Sequence, residues 1–141
     1  MTSPTGLVVD ASVMLAALVG APAERAWTHN LLKSDQNHAP ELALFEAANV
    51  LRRKELTGRL TGIRAAAAFA ELQQWPLQTW PFGLLAGRIW ELRHSITAYD
   101  AAYVALAEQL ELPLATRDVR LANAPGPRCR FITPESTRPE A

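Results

Sequence analysis

Four acidic residues stand where an apolar segment meets its boundary. Asp10 ends Gly6-Leu7-Val8-Val9, and Glu46 lies inside Leu42-Ala43-Leu44-Phe45-Glu46-Ala47-Ala48. Asp100 lies inside Ala98-Tyr99-Asp100-Ala101-Ala102-Tyr103, and Asp118 follows Leu114-Ala115-Thr116-Arg117. A carboxylate in apolar surroundings is costly unless a cation or hydrogen bonds compensate it, so convergence of these four would make a hard-metal site. Ser12 and Thr116 each stand two positions from one of the aspartates. That spacing lets a hydroxyl steady a carboxylate or a water beside the ion. The chemistry expected of such a site is metal-dependent cleavage of a phosphodiester.

Taken singly, each acid has a plainer use. Asp10 and Asp100 suit helix N-caps or first turns, where a negative charge complements the helix dipole. Asp118 in Thr-Arg-Asp suits a turn, and Glu46 could pair with Arg53 on an exposed helix face at little gain in stability. His29, His38 and His94 lack ligand spacing and adjoining cysteines, which argues against zinc.

Short strand-like runs alternate with longer helical patterns, and these must position the acids. Leu7-Val8-Val9 predicts a strand, Ser12 to Gly20 and Pro22 to Leu32 two helices, and Asn37-His38-Ala39 a weak strand before Pro40. Glu41 to Leu56 predicts a strong helix, with Pro at its entry and Thr57-Gly58 at its exit. Glu46, Asn49 and Arg53 share one face of it, with Leu44, Ala48 and Leu51 on an apolar one. Ile63 to Gln74 predicts another helix, Leu77 to Trp80 a short strand, Phe82 to His94 and Ala98 to Glu111 two further helices. The stripe Tyr99, Tyr103, Leu106, Leu110 would anchor the last of these. Leu112 to Ala115 and Cys129 to Ile132 predict the remaining strands, and the segment from Thr133, with two prolines and mixed charge, a frayed tail. Strand-then-helix order implies a three-layer α/β/α fold around a central parallel sheet, with one domain over residues 1–133 and a flexible tail at 134–141. In such sheets ligands gather at the carboxyl ends of the strands near the topological switch point, where Asp10 and Asp118 would lie.

Bulk properties bound this without deciding it. A chain of 141 residues, 49% hydrophobic, has room for one domain with a real core. Fourteen basic residues balance fourteen acidic ones, so no global charge advertises a nucleic-acid partner. Were the four carboxylates taken up by a cation, the remaining surface would be modestly basic, which is compatible with RNA. Arg117 and Arg120 beside Asp118, and the run Arg52-Arg53-Lys54 with Arg59 after Glu46, are candidates for a phosphate path, their plainer use being a solvated face. Cys129, the only cysteine, excludes an intrachain disulfide and fits a reducing cytoplasm. Val13 to Val19 followed by Ala21-Pro22-Ala23 loosely resembles a secretory signal, but Asp10 interrupts it and no Lys or Arg precedes it. No uncharged apolar run approaches the roughly 18 residues of a membrane span.

Four segments in this order, Val8-Val9-Asp10-Ala11-Ser12, then Pro40-Glu41-Leu42 leading to Glu46-Ala47-Ala48-Asn49-Val50-Leu51, then Tyr99 to Ala107, then Leu114 to Asp118, resemble the motifs of PIN-domain ribonucleases of the VapC toxin type. The resemblance runs from about Leu7 to Thr133. It implies a parallel-sheet PIN fold, Mg2+ or Mn2+ dependence, endoribonuclease activity, homodimerisation and inhibition by a small VapB-type antitoxin that also binds its operon's DNA. The family's acidic quartet falls on Asp10, Glu46, Asp100 and Asp118, and its motif hydroxyl on Thr116, with no departure at an acidic position. Asp10, Asp100 and Asp118 are then the expected metal ligands, Glu46 the residue that orients a water or helps recruit a second ion, Ser12 and Thr116 their supports, and Arg53, Arg117 and Arg120 the expected RNA contacts.

Two other classes compete. A phosphotransfer domain also places Asp at strand ends, but the dehalogenase type would want a second Asp where Ser12 stands, and a receiver would want paired acids near the first strand and a late-strand Lys. A non-catalytic interaction module could use Trp27, Trp75, Trp80 and Trp90 as apolar surface, although core burial is the commoner fate of tryptophan.

Overall fold

A computed structural model of the protein describes residues 5–33 and 36–137. The run Leu7-Val8-Val9 forms β1 (Leu7–Val9), buried on both faces as the middle strand of a parallel sheet must be. Gly6 precedes it at φ +102°, where any Cβ would collide with the Gln36 carbonyl, so the close approach that lets Leu7 N–H bond Gln36 requires glycine. The chain continues as α1 (Ala11–Val19), α2 (Pro22–Leu32), β2 (Asn37–Pro40), α3 (Leu42–Leu56), α4 (Gly62–Gln74) and β3 (Leu77–Trp80). After a 3-10 turn at Phe82–Leu84 come α5 (Ala86–Glu91), α6 (Ala98–Leu110), β4 (Leu114–Ala115), α7 (Val119–Ala122), β5 (Phe131–Ile132) and a last 3-10 turn at Glu135–Thr137.

The five strands are all parallel, in the order β3-β2-β1-β4-β5. The chain builds outward from β1 to β3, then crosses back to add β4 and β5 on the other side. Right-handed crossovers on either side of that reversal put α1 to α4 on one face and α5 and α6 on the other. Accordingly α1 packs against α2, α3 and α4, whereas α6 packs against β1, β2 and β4 with α5 over it. The α/β/α layers expected from strand–helix alternation are present, and the switch point falls between β1 and β4.

Helix α6 is buried nearly all round, from Ala101 to Ala107, because it lies between sheet and α5. Of the stripe expected to anchor it, Tyr103, Leu106 and Leu110 are buried, but Tyr99 is 62% exposed. In α3 the buried stripe is Ala43, Ala47 and Leu51, not Leu44, Ala48 and Leu51: small side chains let the helix approach α1 and α4 closely. The single helix expected over Phe82 to His94 is divided into the 3-10 turn and the short α5. Gly83 and Gly87 each weaken helix by about 1 kcal/mol relative to Ala, and a turn from Leu92 ends it. Helix α7, only 4 residues long, is too short for a periodic pattern to announce it. The predicted tail begins with a 3-10 turn in which Thr133 and Ser136 exchange side-chain-to-backbone hydrogen bonds, and residues 138–141 lie outside the described ones. Cys129 packs against the core, and burial pushes its thiol up to about 11, keeping it protonated. Among the described residues no helix is long and apolar enough to cross a membrane.

One buried polar pair ties β2 to β3. His38 is fully buried; its Nδ1 accepts from Trp80 Nε1 at 3.1 Å, and its Nε2 lies 3.1 Å from the Thr5 carbonyl. Since indole N–H can only donate, Nδ1 must be bare and Nε2 must carry the proton. Trp80→Phe keeps an aromatic ring but leaves that acceptor unpaired. The expected loss is about 1–3 kcal/mol in urea unfolding with an unchanged circular dichroism spectrum; an unshifted midpoint would show that the bond contributes nothing.

Candidate active site

The carboxyl ends of β1 and β4 meet at the switch point, and a hydroxyl-bridged knot holds them. Asp10 leaves β1 and caps α1, confirming the plainer use foreseen for it: Oδ1 accepts from Val13 N at 3.1 Å and from Ser12 Oγ at 2.5 Å. Oδ2 accepts from Thr116 Oγ1, which follows β4. Each hydroxyl also accepts a backbone N–H from the loop after β4, Arg117 N reaching Ser12 at 3.1 Å and Asp118 N reaching Thr116 at 3.0 Å. Asp118 then caps α7, its Oδ1 accepting from Arg120 N and Leu121 N.

Asp100 arrives from the opposite element. It occupies the first turn of α6, whose N-cap is Thr97, and is half-buried. Burial raises its pKa, and the Asp118 carboxylate raises it further, against weaker opposing effects of the Thr97 hydroxyl and Arg120. Burial likewise raises the pKa of Asp10, opposed by hydrogen bonds from Ser12, Thr116 and Val13 and reinforced by the charge of Asp100. Asp10, Asp100 and Asp118 are thus one electrostatic chain. Glu46, in the second turn of α3, joins it through Tyr103: the phenol donates to Glu46 Oε1 at 2.5 Å and accepts the Ala11 backbone N–H. Burial first, then the Glu46 carboxylate, push the phenol far above its ordinary value, so it remains a donor.

Tyr103 was read from sequence only as an anchor. Its one available signal is spacing, one helical turn beyond Asp100. Of the expected phosphate contacts, Arg120 lines an open cleft of about 490 Å³ together with Asp100 and Asp118. Arg117 instead pairs with Glu24 of α2 at 3.2 Å, and Arg53 is exposed two turns beyond Glu46, where no ion pair between them forms.

The donor set suits a hard cation. A carboxylate offers about four lone-pair sites, and Asp10 spends three, leaving one on Oδ2. Asp118 Oδ2 and Glu46 Oε2 have no protein donor among the described residues. Also among the described residues, no three His, Cys, Asp or Glu side chains stand close enough to enclose an ion. Like charges do not close on one another without a cation, and Mg2+ keeps several waters among its ligands, so an open arrangement of oxygens fits it.

Comparison with known proteins bears on what this geometry serves. The PIN domain family model matches residues 7–127. Ribonuclease VapC1 of Mycobacterium tuberculosis is 41% identical over 125 residues, 88% of this chain and 94% of that protein. Ribonuclease VapC9 of the same species is 37% identical over 123 residues, 87% of this chain and 94% of the relative. Among solved structures, VapBC2 from Rickettsia felis bound to a DNA fragment from their promoter aligns at a TM-score of 0.68 and 13% identity, covering 92% of this chain and 98% of that one, a likeness of fold. The ribonucleases of this class are generally metal-dependent, in keeping with the oxygen-rich switch point. The chain belongs to the PIN domain family and, within it, to the VapC ribonucleases.

Proposed function

We propose that the chain is a toxic endoribonuclease, the toxin of a type II toxin–antitoxin pair, with Asp10, Glu46, Asp100 and Asp118 as its catalytic carboxylates. The observation that carries the assignment of the centre is the buried Asp10, held at the switch point and sharing a field with Asp100 and Asp118. Burying and coupling carboxylates is costly, and a cation joining them would offset that cost.

Asp10, Asp100 and Asp118 would hold Mg2+ or Mn2+, ions that prefer oxygen donors. When bound, such an ion stabilises negative charge on the phosphate and lowers the pKa of an attacking water. Ser12 and Thr116 fix the Asp10 carboxylate so that its remaining lone pair has one direction. Tyr103 does the same for Glu46, whose open Oε2 orients a water and accepts its proton. Attack by water on phosphorus, without the ribose 2′-hydroxyl, leaves a 5′-phosphate and a 3′-hydroxyl. Arg120 in the cleft and Arg53 beyond Glu46 carry the RNA backbone, with Arg117 joining if Glu24 releases it.

For partners, α3 and α4 carry a share of the exposed apolar surface. Phe45 is 76% exposed and Ile63 85%, with Leu56 also exposed beside a groove lined by Ala48, Leu51, Ala66 and Phe69. Such surface suits a second copy of the chain and the amphipathic segment of a VapB-type antitoxin. A cytoplasmic location is in keeping with an RNA target. A PIN nuclease that processes RNA without an antitoxin is the second reading, since the catalytic centre would be the same.

Asp100→Asn should leave the fold intact and lower RNA cleavage in Mg2+ by about 100-fold or more, because removing a ligand costs no less than removing its support. Thr116→Val, which removes only the support, should cost about 10–100-fold, with Thr116→Ser restoring activity. Near-parental cleavage by folded Asp100→Asn protein would sink the assignment.

Metal and pH should act on stability through the same groups. Asp10 and Asp100 have folded pKa values above their ordinary 3.8. Each therefore contributes stability that is fully present below 3.8 and lost as pH rises through the folded value. In chelator at neutral pH, Asp100→Asn should melt above the parent, the gap closing as pH falls towards 3.8. Millimolar Mg2+ or Mn2+ should raise the parent's melting temperature more than the variant's. A parent that melts no lower than the variant in chelator and ignores both ions would contradict a shared cation site.

Expressed alone, the protein should arrest growth, and co-expression of the adjacent antitoxin gene should relieve it. Equal arrest with and without that product, or an Asp10→Asn variant as toxic as the parent, would refute the toxin–antitoxin reading while leaving nuclease activity to be judged by cleavage.

A further inference from the structure

Three of the four tryptophans, Trp27, Trp75 and Trp80, pack against the core. Trp90 does not; it is 67% exposed at the end of α5. The ring nevertheless has a partner. Arg93 lays its guanidinium over the indole, Cζ 4.5 Å from the ring centroid, while Nη1 donates to the Trp90 carbonyl at 2.8 Å. Both contacts fix the cation without neutralising it, and no carboxylate pairs with Arg93 among the described residues. The guanidinium is thus a flat, charged, preordered surface backed by an aromatic ring.

Its place gives that surface a use. Arg93 lines the same cleft as Asp100, Asp118 and Arg120, with His94 and Thr97 between them. The cleft therefore holds both acids and cations, Arg120 standing near enough to Asp100 to act on its charge. A phosphate bound at the acids through a cation would leave its neighbouring nucleotide in the same cleft as Arg93.

We propose that the Arg93–Trp90 pair forms a nucleotide subsite beside the cleavage position, taking one unpaired RNA base by stacking, with Arg93 and Arg120 holding the flanking phosphates. The inference rests on the endoribonuclease reading and narrows it to unpaired RNA. Base faces in a duplex are already stacked on one another, and the deep groove of an A-form helix does not admit these side chains. An unpaired base offers a free π-face to an arginine plane or an indole, largely without regard to sequence. Arg93 is a positioning and binding residue here, not a catalytic one.

The test separates binding from cleavage. A short labelled oligoadenylate RNA and the same strand annealed to its complement are titrated with protein in chelator, read by fluorescence anisotropy. The single strand should bind more tightly than the duplex. Trp90→Ala should weaken single-strand binding on the order of 5- to 150-fold, and Trp90→Phe should recover most of it. Arg93→Ala should weaken it too and lower the slope of log affinity against log salt by about 0.7, whereas Trp90→Ala should leave the slope alone. In Mg2+ the Trp90→Ala variant should show a raised KM. Parental single-strand affinity in Trp90→Ala and Arg93→Ala, or equal losses for duplex and single strand, would overturn the subsite. So would parental RNA affinity combined with weakened antitoxin binding, which would assign the ring to a protein contact. A parent that binds single strands through Trp90 yet never cleaves RNA would defeat the nuclease reading and leave the subsite standing.

Discussion

Everything at the switch point hangs on one buried carboxylate. Asp10 sits where β1, α1 and the loop after β4 meet, and its ionised form would be costly there without compensation. Ser12, Thr116 and the Val13 N–H provide it, and the two hydroxyls pass the constraint on by accepting the N–H groups of Arg117 and Asp118. Strand, helix cap and loop are therefore positioned by the same group. A hydroxyl that donates to one oxygen and accepts from one backbone nitrogen has little rotational freedom left, so the Asp10 carboxylate is held more firmly than either element could hold it alone. The consequence for Asp118 is direct, because the loop pinned by this knot is the one that carries it.

The same arrangement works against stability. Burial and mutual repulsion both disfavour the ionised forms of Asp10 and Asp100, while Asp118 adds its charge to Asp100. A fold optimised for stability alone would replace at least one of these acids. The strain is tolerated because the surroundings are rigid: fully buried Val8, Val9, Leu114 and Ala115 form the middle of the sheet, and α6 is buried along most of its length. Elsewhere a buried charge is handled in the opposite way. Partial burial works against ionisation of Glu108, yet hydrogen bonds from Arg88 and Arg128 N prevail and hold its pKa below the ordinary value. That acid has its cation built in, whereas Asp10 is compensated by hydroxyls and a backbone N–H and Asp100 only weakly by the Thr97 hydroxyl and Arg120.

Much of this was legible before any coordinates. The parallel sheet follows from strand–helix alternation, and the acids at Asp10 and Asp118 follow from their position after apolar runs. Caps and catalytic candidates proved to be the same residues: Asp10 and Asp118 both cap helices, so the two readings of each were never exclusive. What was not legible depended on partners distant in sequence. Tyr103 is 57 positions from Glu46, and nothing local distinguishes a tyrosine that packs from one that also donates to a carboxylate. The buried stripe of α3 was misplaced for a related reason. Periodicity favours large apolar residues, whereas close helix contacts select the small Ala43 and Ala47. The break in Phe82 to His94 was visible as Gly83 and Gly87, but the helical pattern around them outweighed two glycines whose cost only tertiary packing could decide.

The neutral composition hid the most about function, because charge acts where it is placed. Arg88 is committed to Glu108 and Glu91, and Arg117 to Glu24. These pairs remove cations from the surface without altering the total. Arg93 and Arg120 remain in the cleft with Asp100 and Asp118, so a chain with zero formal charge brings acids and bases together there. Such a mixture suits a ligand that carries negative charge at regular intervals and needs a cation at only one of them. A polyphosphate backbone has that character, while a free anion would be served by the bases alone and a metal by the acids alone. The pairing of both within one cleft is therefore a more discriminating sign of a nucleic-acid substrate than any count of lysines and arginines.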